Sequence, residues 1–206
     1  MMSITWSTEE GHRLKLHKCR VGGYFVWLII GSQGVLVANS LPHKNEEVAF
    51  GYLTRVADRW IRHANYEDPD DIAFLVAQRV VQVYKWGFRP EILEGLILSS
   101  SSASPKSVRV FEALVKVPRG MVTTYSELAR FCGIPHPRGV ARILASNPFP
   151  LLIPCHKVVY NDGKLGGYLG SSAYSWLKAE LLAKEGVIVQ GGRVPRRCIF
   201  RFRRIC

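Results

Sequence analysis

Acidic residues are scarce in the second half of this 206-residue chain, and cysteines, membrane-length apolar runs and export signals are few or lacking throughout. No stretch of about 18 uninterrupted apolar residues occurs, so hydropathy offers no spanning helix. The first residues lack the basic-then-apolar order of a secretory leader. The expectation is an intracellular protein with no membrane partner. Five cysteines are too few for a disulfide scaffold in a chain of this length, and an intracellular compartment keeps thiols reduced. One pair stands apart: Cys198 and Cys206 flank an arginine-rich stretch and could join in a hyperthermophile, where intracellular disulfides occur.

What is present is a charge excess confined to one half. Residues 1–104 carry 11 Lys and Arg against 11 Asp and Glu, whereas residues 105–206 carry 17 against 5. A general solubility charge would not segregate in this way. A neutral half followed by a strongly basic one points to a polyanion for the basic part, of which nucleic acid is the commonest.

The pattern along the chain supports two units. Two apolar, β-rich runs, Tyr24 to Ile30 and Val35 to Ala38, flank the turn-forming Gly31-Ser32-Gln33-Gly34 and predict a hairpin. Asn45 can cap a helix to about His63, and a second helix is expected over 71–86. The serine-rich stretch 99–104 suits a linker. Ser104-Pro105 then reads as a helix start, with Val108, Phe111, Leu114 and Val115 as its buried face. Thr124-Tyr125-Ser126-Glu127 is a capping box in which hydroxyl and carboxylate satisfy orphan amides reciprocally. The helix it opens ends near Cys132, Gly133-Ile134-Pro135 breaks it, and another runs from about Pro137 until Asn147-Pro148. Helix, short glycine-containing turn, helix is the helix-turn-helix outline, and its second helix is the one that would read DNA. The expected fold is an N-terminal α/β (α+β) domain over 1–98 with a β-hairpin and helices, and a linker over 99–104. A mostly helical helix-turn-helix or winged-helix-like domain occupies 105–190, with a basic tail over 191–206.

The chemistry centres on Ile153-Pro154-Cys155-His156-Lys157-Val158-Val159. A thiol at its ordinary pKa is mostly protonated at neutral pH, so a working nucleophile needs a nearby base or cation; His156 and Lys157 are the candidates. A lone Cys-His pair is more often buried structure than chemistry, because cysteine is among the most buried residue types. The surroundings reverse that reading. Asn147-Pro148 with Pro150, the run Pro154 to Val159, and Gly166-Gly167-Tyr168 together resemble the signature of the O6-alkylguanine-DNA alkyltransferases, the methylated-DNA–protein-cysteine methyltransferases. The resemblance covers about residues 105–188; the first half resembles that family's N-terminal domain only in length and hairpin-plus-helix pattern.

The resemblance implies roles for particular residues. Cys155 matches the alkyl acceptor, His156 the residue that takes the thiol proton through a water, and Glu185 the carboxylate that orients the histidine. Tyr125 matches the tyrosine that hydrogen-bonds the departing guanine and helps push the base out. Arg138 matches an arginine that enters the duplex and fills the gap left by the flipped nucleotide, with Ala141 and Lys157 as further DNA contacts. Asn147 matches the hinge between recognition helix and reactive loop. Tyr168, Leu169, Val158, Pro150 and Lys178 fall at positions of the substrate pocket. The implied partner is double-stranded DNA containing O6-alkylguanine, met by a monomer that is cytoplasmic, or nuclear in a eukaryote. No cofactor or metal is implied for the transfer.

Elementary chemistry agrees with these roles. A base inside a duplex is out of reach of a buried thiol, so the nucleotide must be extruded at a cost of a few kcal/mol. The resulting thioether has no easy reverse step, which makes the protein a single-use reagent. Three departures from the family pattern stand out. Lys157 replaces the usual arginine, losing its planar fork; Leu169 replaces a small polar residue, leaving only its amide for guanine O6; and the loop between Tyr168 and Lys178 is longer by three residues. The tail, with Arg193, Arg196, Arg197, Arg201, Arg203 and Arg204, has no counterpart in the resemblance and reads either as added phosphate contacts or as a disordered basic end. His12, His17 and Cys19 lie close together but lack an evident fourth metal ligand. Two other function classes remain to be separated: a lesion-binding module that transfers nothing, and a thiol hydrolase that turns over.

Overall fold

A computed structural model describes residues 4–8, 13–101 and 103–202. The chain forms two compact units, one of residues 1–85, 90–104 and 148–152, the other of 86–89, 105–147 and 153–206.

The first unit is built on β1 (Thr5–Ser7), β2 (Leu14–Val21), β3 (Tyr24–Ile30), β4 (Leu36–Asn39), α1 (Glu46–Ile61), β5 (Ala64–Tyr66), α2 (Asp71–Trp86) and β6 (Ile97–Ser99). Its six strands lie in the order β1-β6-β4-β3-β2-β5. The β3–β4 hairpin is antiparallel, as the two apolar runs suggest. A longer antiparallel partner, β2, precedes it; its lysines and arginine hide a strand whose Leu14, Leu16 and Cys19 are buried. The link between them is Gly22-Gly23, both left-handed, the conformation a two-residue hairpin turn requires. Asn45 caps α1 as expected, its side chain accepting from the Val48 amide at 3.0 Å. Ala49, Leu53 and Ala57 of α1 are buried among Leu16, Trp27, Ile29 and Val37 of the sheet. At helical spacing they make the inward stripe.

Two departures matter for the boundary. Ser99, placed in a linker by composition, closes β6 and is fully buried, and Ser100 donates its amide to Ser7 O at 2.8 Å. Residues 148–152, between the second helix of the helix-turn-helix and the reactive turn, group with the first unit. There Asn39 donates its amide to Pro148 O at 3.0 Å and its side chain to Pro150 O at 2.9 Å.

The second unit carries α3 (Pro105–Leu114), β7 (Thr123–Thr124), α4 (Tyr125–Phe131), α5 (Pro137–Ala145), β8 (Val158–Val159) and α6 (Ser175–Lys184). β7 and β8 pair in parallel, so the strand entering α4 lies beside the strand leaving the Cys155 turn. Thr124 caps α4 by accepting from the Glu127 amide at 3.1 Å. The reciprocal half of the expected box is absent, because the Glu127 carboxylate accepts instead from the Phe202 amide at 2.8 Å and pairs with Arg130. α5 starts with Pro137 at its first turn and with His136 as cap, whose Nδ1 accepts from the Arg138 amide. The tail is no disordered end as far as Phe202: Val122 donates to Cys198 O at 2.8 Å, and Phe200 donates back to Val122 O at 2.6 Å. Arg203, Arg204 and Cys206 lie outside the described residues, as does His12, one of the three neighbouring residues that lacked an evident fourth metal ligand. His17 Nδ1 lies 3.1 and 3.2 Å from the carbonyls of Glu67 and Asp68.

Candidate active site

Cys155 opens a short 3-10 turn, Cys155–Lys157, held by Pro154, whose carbonyl accepts from the Lys157 amide at 3.0 Å. Its side chain is 5% exposed and reaches a cavity of about 420 Å³ also lined by Tyr125, Ala141, Arg142, Tyr160, Tyr168, Leu169 and Ser171. That volume is typical of pockets that enclose small-molecule groups. Burial pushes the Cys155 thiol above its ordinary value. A hydrogen bond from Asn147, the nearby Lys178 cation and the Tyr168 hydroxyl pull the other way without cancelling it. The resting group is a protonated thiol. Asn147, at the end of α5, donates its Nδ2 to Cys155 Sγ at 3.3 Å and to Ile153 O at 3.2 Å, tying helix to reactive turn.

Behind the cysteine lies a buried charge relay. Glu185 Oε1 is 2.7 Å from His156 Nε2 and accepts from the Phe88 amide at 3.1 Å, while its Oε2 pairs with Lys157 Nζ at 2.8 Å. Burial alone would raise the Glu185 carboxyl, but His156 and Lys157 outweigh it and hold the group at about 2. The carboxylate is therefore ionised and can only accept, which assigns the proton between them to His156 Nε2. Burial lowers the His156 pKa, more than Glu185 raises it, so the ring is neutral at pH 7. A neutral ring protonated at Nε2 keeps a lone pair on Nδ1, and that atom is buried with no hydrogen-bond partner among the described residues. It is the free base of the site.

Gly87 makes this arrangement possible. Its φ is +83°, and an added Cβ would lie 2.6 Å from Glu185 Cγ and 2.9 Å from Arg119 Nη1. Gly87→Ala is expected to cost about 1–3 kcal/mol by strain and overpacking, read as a lowered urea midpoint.

The structure corrects four site expectations. Lys157 is fully buried; besides Glu185 it donates to Val117 O at 2.9 Å and Pro118 O at 3.0 Å, so it cannot reach DNA and instead neutralises the carboxylate. Lys178 does not line the cavity. It sits behind the wall, donating to the carbonyls of Val158, Leu165 and Gly167 at 2.5, 2.6 and 3.2 Å, and burial brings its pKa down to about 8. Val158, buried in β8, and Pro150 are not among the residues that line the cavity. Tyr125, Ala141, Tyr168 and Leu169 do face the cavity with Cys155. Tyr125 lies 5.4 Å from Tyr160, ring to ring, and burial with its neighbours pushes its hydroxyl up to about 12, which keeps it a proton donor. Arg138 is exposed on the first turn of α5, away from the lining.

Sequence reasoning missed Arg142, Tyr160 and Ser171. Arg142 carried a signal, being four residues from Arg138 and hence on the same helix face. Tyr160 and Ser171 carried none. The turn bearing Leu169 is closed by Tyr168 and Ser171, which exchange backbone hydrogen bonds at 2.9 and 3.0 Å. Leu169 and Gly170 both have positive φ, so a non-glycine residue is held in the left-handed region at the pocket wall.

A helix-turn-helix unit that presents a buried cysteine, backed by a histidine–carboxylate pair, carries the parts that a DNA alkyltransferase needs. Comparison with known proteins agrees. Residues 105–187 match the family described as 6-O-methylguanine DNA methyltransferase, DNA binding domain. A methylated-DNA–protein-cysteine methyltransferase of Methanothermobacter thermautotrophicus is 47% identical over 83 residues, 40% of this chain and 45% of that protein. A DNA base-flipping protein of Thermus thermophilus is 39% identical over 114 residues, 55% of this chain and 74% of that protein. The crystal structure of O6-methylguanine-DNA methyltransferase from Pyrococcus kodakaraensis KOD1 superposes with a TM-score of 0.63 at 27% identity, covering 84% of this chain and 99% of that one. The chain thus belongs to the O6-methylguanine-DNA methyltransferase family, although the matched stretch spans under half the length of the Methanothermobacter relative.

Proposed function

We propose that this protein repairs O6-alkylguanine in double-stranded DNA by moving the alkyl group onto Cys155 Sγ, once per molecule. The observation that carries the reading is a buried thiol at a cavity with a proton-accepting His156 Nδ1 and an ionised Glu185 behind it. Sγ attacks the alkyl carbon and the carbon–O6 bond breaks, its electron pair passing to the guanine. The thiol proton goes to His156 Nδ1 through a water and ends on the base. Glu185 holds the ring by Nε2–H and stabilises the imidazolium while it exists. Tyr125, protonated and at the cavity, donates to the leaving guanine. Arg138, exposed on α5, takes the place of the extruded nucleotide, and Arg142 and Ala141 border the path of the flipped base. No metal or organic group is needed for this balance. The protein acts as an intracellular monomer, in the cytoplasm or, in a eukaryote, the nucleus.

Intact-mass measurement after mixing with an O6-methylguanine duplex tests this. The expected result is one methyl in place of one proton, with no second turnover. A second reading, flipping without transfer, is favoured by the name of the Thermus relative. It would give lesion-dependent binding with no mass gain and would overturn ours; release of product by catalytic turnover would favour the hydrolase.

A further inference from the structure

The family match ends at residue 187, yet the chain beyond that point is well anchored. Leu165 donates its amide to Gly192 O at 3.1 Å, and Val194 donates to Gly163 O at 2.9 Å. Val194 is buried with Val122, Val159, Leu165, Leu182 and Val187, and Cys198 and Ile199 pack against the same cluster. Cys198 and Phe200 bond both sides of Val122, the residue leading into β7. Phe202 stacks on Phe131 of α4 with ring centroids 4.4 Å apart, donates its amide to Glu127, and accepts from Arg130 Nη2 at 3.0 Å. Glu127 thus gives up the capping role its sequence position suggests in order to hold the tail to the first helix of the helix-turn-helix.

The segment's side chains divide by chemistry. Val194 and Phe202 point inward, whereas Arg196, Arg197 and Arg201 are exposed and make no ion pair with any described residue. Arg193 is different, since Asp162 pairs with it at 2.9 Å. Three unneutralised guanidinium groups on a pinned backbone give up side-chain but no backbone freedom when they meet an anion, and guanidinium geometry suits phosphate oxygens. The tail is fixed to the element whose first residue, Tyr125, faces the reactive cavity.

We propose that the docked segment 193–202 is a second DNA-binding surface, in which Arg196, Arg197 and Arg201 contact backbone phosphates of the duplex. It rests on the reading of the protein as a DNA alkyltransferase and extends the footprint beyond the family domain. These contacts carry no sequence information; they raise affinity and hold register.

The test uses the full chain and an undamaged duplex, measuring binding by fluorescence anisotropy from low to moderate salt. In the triple variant Arg196→Gln, Arg197→Gln, Arg201→Gln, the slope of log K against log salt is expected to fall by about 0.9 for each lost phosphate contact, 2 to 3 in all. Affinity should fall at least about tenfold at low salt, with the thermal midpoint unchanged. If the triple variant loses its thermal transition, each single glutamine variant is read for a fall of about 0.9. An unchanged slope in a folded variant, or a loss confined to single-stranded RNA of the same length, overturns the proposal. Failure of the transfer reading shows elsewhere, as a wild-type protein that gains no methyl mass.

Discussion

Cys155→Ala should gain no alkyl mass from an O6-methylguanine duplex under conditions where the wild-type protein is fully converted, and Cys155→Ser should behave almost as badly. Removing the nucleophile of a covalent catalyst typically costs on the order of 10⁴-fold or more, and a serine hydroxyl in the same buried setting is far harder to deprotonate than a thiol. Duplex binding, by contrast, should change little, because Cys155 contributes a cavity wall and no charge. Two of the other three described thiols, Cys19 and Cys132, are held protonated by their surroundings. Burial and the charge of Asp70 push Cys19 up to about 12, and burial pushes Cys132 up to about 11. Neither of these, nor the half-buried Cys198, has a buried histidine–carboxylate pair behind it. Peptide mapping of the alkylated wild-type protein should therefore find the adduct on Cys155 alone. An adduct of equal yield on another cysteine, or full mass gain by Cys155→Ala, would sink the assignment.

A raised thiol is at first sight the wrong starting point for a nucleophile. It makes sense for the proposed single-use reagent, which must last until it meets a lesion. A protonated, nearly inaccessible sulfur is protected from oxidation and stray electrophiles, which attack thiolates. On the proposed mechanism, reactivity is then supplied at the moment of transfer, by His156 Nδ1. Because burial lowers the His156 pKa below its ordinary 6.5, that base is unprotonated at neutral pH. The acid limb of the single-turnover rate should accordingly lie below pH 6.5.

Much of this was legible in the sequence. Local signals are strong where one residue type does one job: Asn45 and Thr124 as caps, Pro105 and Pro137 at helix starts, Cys155 beside His156. The charge excess of the second half also had a structural counterpart in exposed arginines on α5 and the tail. Signals failed where the decisive partner was far away in sequence. Lys157 read as a DNA contact through the family resemblance, but a carboxylate 28 residues on makes its burial tolerable. Glu127 read as a capping-box member because nothing local revealed that Phe202, 75 residues away, would claim it. β2 was missed because its cationic residues interrupt the buried ones and the buried positions Leu14, Leu16, His17 and Cys19 do not keep a strict period of two. Gly87 and Phe88, which complete the cradle of Glu185, lie among residues 86–89, beyond any segment that the motif singled out.

Glu185 is where stability and chemistry meet, and Glu185→Ala should damage both. The substitution leaves the Lys157 ammonium without its counter-ion, and the His156 Nε2–H and the Phe88 amide without their acceptor, in a place where the His156, Lys157 and Glu185 side chains have no solvent exposure. Removing one partner of a buried pair typically costs about 3–5 kcal/mol, since an uncompensated charge remains. Glu185→Gln keeps an acceptor for His156 but strands Lys157, so its loss should be smaller. Its transfer rate should still fall by on the order of 10²–10⁴-fold, because the imidazolium formed during proton transfer is no longer stabilised. The pH dependence separates the charge from the packing. In the folded protein Glu185 sits at about 2 against an ordinary 4.5, so between those values the unfolded chain binds the extra proton. Its contribution is complete above pH 4.5 and is lost as the pH falls towards 2. His156 acts in the same direction from pH 6.5 downward, because the folded protein resists the proton that the unfolded chain accepts. Urea unfolding across this range should show wild-type stability declining continuously on acidification and Glu185→Gln flattening below pH 4.5, where only other carboxylates remain. A Glu185→Ala variant within about 0.5 kcal/mol of wild type would be the behaviour of an ordinary surface position, and would remove Glu185 from the relay.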